Sequence, residues 1–136
     1  MNNEKANYLG LDWGSAKVGA ALAHGETRVA LPYATLQNDK DLIHRLGEII
    51  AAEDVGTTVI GLPHYAPHTQ EESAGQKLGQ ALVRHFGVRV EYQDEMFTTK
   101  MAQANLIERG EKSVSKQDDE EAARILLQEW LDKQAL

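Results

Sequence analysis

An acidic residue interrupts an otherwise mostly apolar segment near the start of the chain. Asp12 stands within Tyr8–Gly14, a segment that also contains Leu9, Leu11 and Trp13. Moving a lone carboxylate out of water costs several kcal/mol unless it is paired, protonated or bound to a metal. A chain that places a carboxylate in a predicted strand has a use for it, so Asp12 is a candidate catalytic or metal-binding residue.

A second candidate comes from the last predicted helix, Lys116–Leu131. At about 100° per residue, Asp119 falls in the middle of the buried face, because it lies three, four and seven residues before apolar positions. The acids beside it have ordinary interpretations: Asp118 suits a helix start, and Glu120 and Glu121 fall on the solvated side. The apolar stripe consists of Ala122, Ala123, Ile125, Leu126, Leu127 and Trp130.

A third acidic position follows the predicted strand Val88–Tyr92, where Asp94 and Glu95 stand side by side. Ligands of open α/β sheets bind at the carboxyl ends of strands, which is also where Asp12 lies. Buried like charges resist joint ionisation, and a hard divalent cation removes that penalty. We therefore expect Asp12, Glu95 and Asp119 to be catalytic and to bind Mg²⁺ or Mn²⁺. Two such ions about 4 Å apart can drive phosphodiester hydrolysis. The choice between Asp94 and Glu95 as principal ligand stays open.

The elements that must position these acids alternate in a mixed order. Three β-type segments come first, joined by short turns that imply antiparallel hairpins, and αβ crossovers follow. This order predicts an α/β fold with a mixed five-stranded sheet flanked by helices, formed by residues 1–136 as a single domain. The predicted strands are Tyr8–Trp13, Val18–Ala23, Arg28–Leu36, Thr57–Leu62 and Val88–Tyr92. The predicted helices begin near Leu42, after the capping box Thr69–Glu72, at Thr98 and at Lys116, and Asn38 with Asp41 is a candidate cap pair for the first.

Composition narrows the functional class. The chain has 14 basic and 21 acidic residues, a formal net charge of −7, so non-specific attraction to phosphates is not expected. Nucleic-acid binding would need a local basic patch and bound cations. There is no cysteine, no apolar run near the roughly 20 residues that cross a membrane and no signal-peptide pattern. These features favour a cytoplasmic protein without membrane partners.

Four blocks of the sequence resemble one known family. Asp12–Ala21 is similar to the D-x-G-x-x-x-x-G-x-A opening of the YqgF family, Val59–Pro63 to its V-x-G-L-P, Asp94–Thr99 to its D-E-R-[LF]-[ST]-T, and Asp119–Gln128 to its D-x-x-A-A-x-x-I-L-Q. This family is the RuvC-like group described as Holliday-junction resolvases and as nucleases that mature the small-subunit ribosomal RNA. Any one block is weak, but together, in order, they cover nearly the whole chain.

The resemblance implies an RNase H-like fold and metal-dependent cleavage of phosphodiester bonds in structured nucleic acid. The expected substrates are the 16S ribosomal RNA precursor at its 5′ end or a Holliday junction, so the partner is RNA or branched DNA. The resemblance carries the acidic roles onto Asp12, Glu95 and Asp119. A symmetric branched substrate would favour a homodimer, although no run of residues marks an interface.

The chain departs from the family pattern at two places. Met96 replaces the arginine after Asp-Glu, and the loop His64–His68 replaces a region that often has Asp-Gly. An arginine after Asp-Glu would contact phosphate or fix the adjacent acids, so substrate handling is the property most affected. The best basic residues for contacting nucleic acid are Lys17, Lys100 and Lys116.

Two further functional classes remain open on sequence grounds. One is a non-catalytic relative that keeps the RNase H-like fold and binds nucleic acid or a nucleotide. The other is a protein-interaction module, which the acidic charge would suit. Stabilisation by Mg²⁺ or Mn²⁺ that disappears in Asp12→Asn separates a nuclease from both.

Overall fold

The protein is described here from a computed structural model, in which residues 6–62, 73–94 and 116–134 are placed. Five strands form one sheet, with helices on both of its faces. The strands are β1 (Asn7–Trp13), β2 (Lys17–Ala23), β3 (Ala30–Gln37), β4 (Val55–Leu62) and β5 (Arg89–Asp94). The helices of the described ranges are α1 (Leu42–Ala52), α2 (Ala74–Phe86) and α3 (Lys116–Gln134).

The sheet is mixed, as the sequence predicts. Its strand order is β3-β2-β1-β4-β5, in which β1, β2 and β3 pair antiparallel and β1, β4 and β5 pair parallel. The first strand is therefore central, and its carboxyl end points the same way as those of β4 and β5. Asp12 and Asp94 therefore lie at the same end of the sheet, where the parallel strands β1, β4 and β5 terminate.

The two faces of the sheet have separate hydrophobic cores. Because side chains alternate along a strand, Leu9 and Leu11 of β1 pack on one side, with α1 and α2. Tyr8, Gly10 and Asp12 face the other side, where α3 lies. None of the helices in the described part of the chain combines the length and apolarity that crossing a bilayer requires.

Helix α2 begins later than the sequence suggests. Its N-cap is Ser73, whose Oγ accepts from Gln76 N at 3.2 Å, while Gln76 Oε1 accepts from Ser73 N at 2.9 Å. The capping box predicted at Thr69–Glu72 is therefore wrong as the start of this helix, and those residues lie outside the described ranges. The end is as expected: Gly87 adopts a left-handed conformation with φ of 68°, and its N–H bonds to Val83 O.

Two other boundaries differ from prediction for local reasons. Strand β3 begins at Ala30 rather than Arg28, because Arg28 has φ of 56°, which a strand cannot accommodate. Asp41 occupies the N-cap position of α1 without a side-chain capping bond, and Asn38 does not cap the helix at all. The predicted helix that starts at Thr98 lies outside the described residues.

Candidate active site

Asp12 lies near the carboxyl end of β1, flanked on both sides by glycine. It pairs with Gly19 across the antiparallel ladder and with Gly61 across the parallel one. Residues in register share a face of the sheet, so neither neighbour places a side chain beside the carboxylate. Asp12 itself is half-buried on the face that α3 covers.

Helix α3 brings a second carboxylate to this place. A Cβ added to Gly19 would collide with the backbone carbonyl oxygen of Asp119. Two turns further along the helix, a Cβ on Gly10 would lie 2.7 Å from Leu127 Cβ. The helix thus rests on the backbone of β1 and β2, and it sets Asp119 directly above the register partner of Asp12.

The electrostatics of Asp119 reflect this position. Burial raises the pKa of the Asp119 carboxyl above its usual value, and the neighbouring charge of Glu120 raises it further. The ammonium of Lys17 acts in the opposite direction and lowers the same pKa. A carboxylate that loses hydration on folding, close to a second carboxylate, is stabilised in its charged form by a cation. This is the donor chemistry that suits a hard divalent metal ion.

Lys17 is exposed at the start of β2. The turn before it is held by hydrogen bonds from Asn38, which lies outside the hairpin of β1 and β2. Asn38 Nδ2 donates to Gly14 O at 2.7 Å, and Asn38 N donates to Ala16 O at 2.9 Å. Gly14 is required here because an added Cβ would lie 2.5 Å from Lys17 O. The turn after Asp12 is therefore tied to the segment that leads into α1, and Lys17, at its end, lies close enough to Asp119 to act on the pKa of that carboxyl.

Two acids of α3 have partners that the sequence interpretation missed. Glu120 and Glu121 were expected on the solvated side, but both are half-buried, so that expectation is wrong. Glu120 Oε2 accepts from Thr35 Oγ1 at 3.1 Å, which ties the helix to β3. Glu121 forms a two-point ion pair with Arg124, at 2.8 and 2.7 Å. Both residues lie at the flanks of α3, beside its apolar face. The spacing of apolar residues in the sequence does not show how far around the helix the buried surface extends.

Two glutamines also bind α3 to the sheet, and sequence analysis assigned neither a role. Gln128 Oε1 accepts from Ala30 N at 2.8 Å and its Nε2 donates to Arg28 O at 3.1 Å, so its amide pairs like a short piece of strand. Gln93 of β5 is buried beneath the same helix and bonds to Glu129 and Lys133. Two signals could have identified Gln128: it is a polar residue beside the apolar stripe of the helix, and it is the glutamine that ends the block Asp119–Gln128.

The structure brings together part of the predicted set. Asp12, Asp119 and Lys17 lie in one place on the α3 face. Glu95 and Lys100 lie outside the described residues, as does the side chain of Lys116, whose backbone begins α3. Within residues 6–62, 73–94 and 116–134 no three acidic, histidine or cysteine side chains form a metal-binding group. The third ligand expected from the sequence, Glu95, immediately follows the last residue of β5.

This architecture, an α/β fold with a mixed five-stranded sheet, is that of the RNase H-like resolvases. The fowlpox virus resolvase, solved with its substrate Holliday junction DNA, aligns with a TM-score of 0.64 at 11% identity, over 96% of this chain and 99% of that one. RuvC of Thermus thermophilus, solved in complex with a Holliday junction substrate, aligns with a TM-score of 0.58 at 15% identity, over 95% and 96% of the two chains. At these identities the likeness establishes the fold.

The sequence places the chain more narrowly. The family model of RuvX, described as Holliday junction resolvase, matches residues 6–133, and the chain belongs to this family. A relative from Streptococcus gordonii, named as a proposed pre-16S rRNA nuclease, is 37% identical over 134 residues, covering 92% of this chain and 96% of its own length. The family expected from the four sequence blocks is thereby confirmed.

Proposed function

We propose that this protein is a metal-dependent endonuclease that cleaves phosphodiester bonds in structured nucleic acid. The observation that carries the proposal is the seating of Asp119 on Gly19, the register partner of Asp12. Two acids distant in sequence meet on the polar end of a packed face, where a purely structural role would favour apolar residues. Membership of a family described as Holliday junction resolvase supports the same activity.

Asp12, Asp119 and Glu95 would hold Mg²⁺ or Mn²⁺ in this proposal. The donor set fits such ions, because carboxylate oxygens are the ligands they prefer and the chain has no cysteine thiolate to favour a softer metal. When bound, two such ions activate a water and stabilise the leaving oxygen of a phosphodiester.

The remaining chemistry comes from the chain itself. Lys17, exposed beside Asp119, carries a positive charge to the edge where a phosphate would approach, and with Lys100 and Lys116 it forms the proposed contact with the nucleic-acid backbone. The excess of acidic residues means that this local patch, with the cations, must overcome repulsion between the protein and its substrate.

Two substrates fit the relatives' descriptions, the 16S ribosomal RNA precursor and the Holliday junction, and for the RNA we propose cleavage at the 5′ end. We favour ribosomal RNA, since the curated relative that covers nearly the whole chain carries that description. A cytoplasmic location and a homodimer on a symmetric junction remain predictions that accompany this proposal.

The test is cleavage of precursor ribosomal RNA and of a four-way DNA junction, side by side, with Mg²⁺ or Mn²⁺. We expect Asp12→Asn, Glu95→Gln and Asp119→Asn each to lower the rate by about 100-fold or more, as loss of a preorganised charge in an active site commonly does. Asp132→Asn is the matched control, because it makes the same change at an exposed position of the same helix. If wild type and all three variants behave alike on both substrates, the nuclease proposal is wrong.

A further inference from the structure

Gln93 occupies an unusual place for a glutamine. In the described part of the chain Thr58 and Gln93 are the two polar residues that are buried, and Gln93 is 6% exposed. Gln93 pairs with Gly61, which in turn pairs with Asp12, so all three share one level of the sheet. Gln93 therefore lies on the α3 face two strands from Asp12, about 10 Å away, with only a glycine between them.

Both ends of the Gln93 amide are held by charged groups of α3. Its Nε2 donates to Glu129 Oε2 at 3.1 Å, and its Oε1 accepts from Lys133 Nζ at 3.3 Å. Glu129 and Lys133 are four residues apart and so lie on one face of the helix. Bonds to ionised partners are stronger and more directional than those between neutral groups. An apolar side chain could fill the same space, but it would not fix the strand to a particular pair of helix positions.

This connection matters because β5 is an edge strand. Among the described strands only β4 pairs with it, and the ladder between them ends at Asp94 opposite Leu62. The helix that grips Gln93 is the one that carries Asp119 in its first turn, about 15 Å along the axis from Glu129. Helix α3 thus carries the carboxylate of Asp119 and also binds the carboxyl end of β5, after which Glu95 follows in the sequence.

We infer that Gln93 is a positioning residue for the proposed metal site: through Glu129 and Lys133 it fixes α3 to the carboxyl end of β5, and so holds Asp119 of α3 in place relative to Asp12 of β1. The inference rests on the proposed function. It differs from an ordinary structural role, in which the same bonds would contribute to stability alone.

The test measures Mn²⁺ binding by calorimetry and unfolding in urea without metal, for wild type, Gln93→Leu and Lys133→Met. Outer groups that orient metal ligands commonly alter affinity by 10- to 100-fold. We expect Gln93→Leu to raise the Kd for Mn²⁺ by about tenfold and Lys133→Met, which removes one of the two bonds, by about threefold. Lys133 is exposed, so its replacement leaves the fold intact even if Gln93→Leu does not.

Thr58→Val is the matched control. It removes the other buried polar group, which lies in β4 on the opposite face of the sheet, and it should leave the Kd for Mn²⁺ unchanged. If Gln93→Leu and Lys133→Met change the unfolding midpoint but bind Mn²⁺ like wild type, Gln93 is structural and the inference fails alone. If wild type shows no saturable Mn²⁺ binding, the proposed metal site fails and the inference fails with it.

Discussion

The two faces of the sheet are built on different principles. Toward α1 and α2 the strands contribute large apolar side chains, among them Leu9, Leu11 and Ile60, which form one continuous core with both helices. Toward α3 the strands contribute mostly small and polar residues, including Gly10, Gly19 and Gln93, with Val59 as a larger buried aliphatic residue. One face holds its helices by burying volume, and the other lets its helix approach the strand backbone.

This difference separates stability from position. Contacts between aliphatic side chains are non-directional, so a helix on such a face can shift slightly without losing much buried area. A helix seated on glycine and held by hydrogen bonds has one favoured position along its axis. The face that carries Asp12 and Asp119 is the second kind, which suits a site where carboxylates must meet within a few tenths of an ångström.

The largest effect is expected when volume is added beneath α3. Gly19→Ala places a methyl group against the backbone carbonyl group of Asp119. Because this group belongs to the helix backbone, the contact can be relieved only if the helix and the strand move apart. We expect a loss of about 3 kcal/mol in the free energy of unfolding together with weaker Mn²⁺ binding, measured by urea denaturation and calorimetry.

Leu46→Ala is the comparison on the other face, where Leu46 of α1 is fully buried. Its cavity should also cost about 3 kcal/mol, but the folded variant should bind Mn²⁺ like wild type. If the two substitutions weaken Mn²⁺ binding equally, the distinction between the faces does not hold.

An intermediate effect is expected from Gln128→Ala. The change removes two hydrogen bonds to the start of β3 and leaves the backbone N–H of Ala30, a residue 1% exposed, without its partner. We expect a cost of about 2 kcal/mol and faster hydrogen exchange at the Ala30 amide. Gln134→Ala, at an exposed glutamine at the end of α3, should cost less than about 0.5 kcal/mol. If the Ala30 amide of Gln128→Ala still exchanges as slowly as in wild type, Gln128 does not hold the start of β3 to α3.

A pair of threonines should respond with opposite signs. Thr58 Oγ1, in the aliphatic core, has no hydrogen-bond partner among the described residues, whereas Thr35 Oγ1 donates to Glu120 across the α3 face. Thr58→Val should raise the free energy of unfolding by about 1 kcal/mol, and Thr35→Val should lower it by about 1 kcal/mol. Urea denaturation of both variants decides the matter, and changes of the same sign would contradict it.

The smallest effect concerns pH. Because burial raises the pKa of Asp119 in the folded protein, the unfolded chain ionises first as pH rises, and ionisation favours unfolding between the two pKa values. In chelator-treated buffer, the stability of wild type relative to Asp119→Asn should therefore decline as pH rises from about 4. A difference that grows with pH would mean that the folded state favours the Asp119 carboxylate even without a cation.

Much of this molecule follows from local patterns. Five strands, the mixed order of pairing and the helices near Leu42 and Lys116 are predictable because alternation and helical periodicity survive in the sequence. The wrong predictions fall where tertiary contacts override a local sequence pattern. Thr69 has capping-box spacing, but Ser73 is the cap. Arg28 fits an apolar-flanked strand, but it adopts a left-handed conformation and its carbonyl oxygen bonds to Gln128.

The sequence by itself singled out the residues that are candidates for carrying chemistry. A carboxylate in an apolar strand and another on the buried face of a helix are costly wherever they are folded, so Asp12 and Asp119 could be singled out from residue type and spacing. Family membership likewise followed from four short blocks.

Only the tertiary structure decided how those residues are held. That Gly19 is the surface on which Asp119 rests, and that Gln93, Gln128 and Glu120 anchor one helix to the two outer strands β3 and β5, depends on the register between segments up to 100 residues apart. Hydrogen bonds and close backbone contacts depend on distances of a few tenths of an ångström, and no periodicity along the chain encodes such distances.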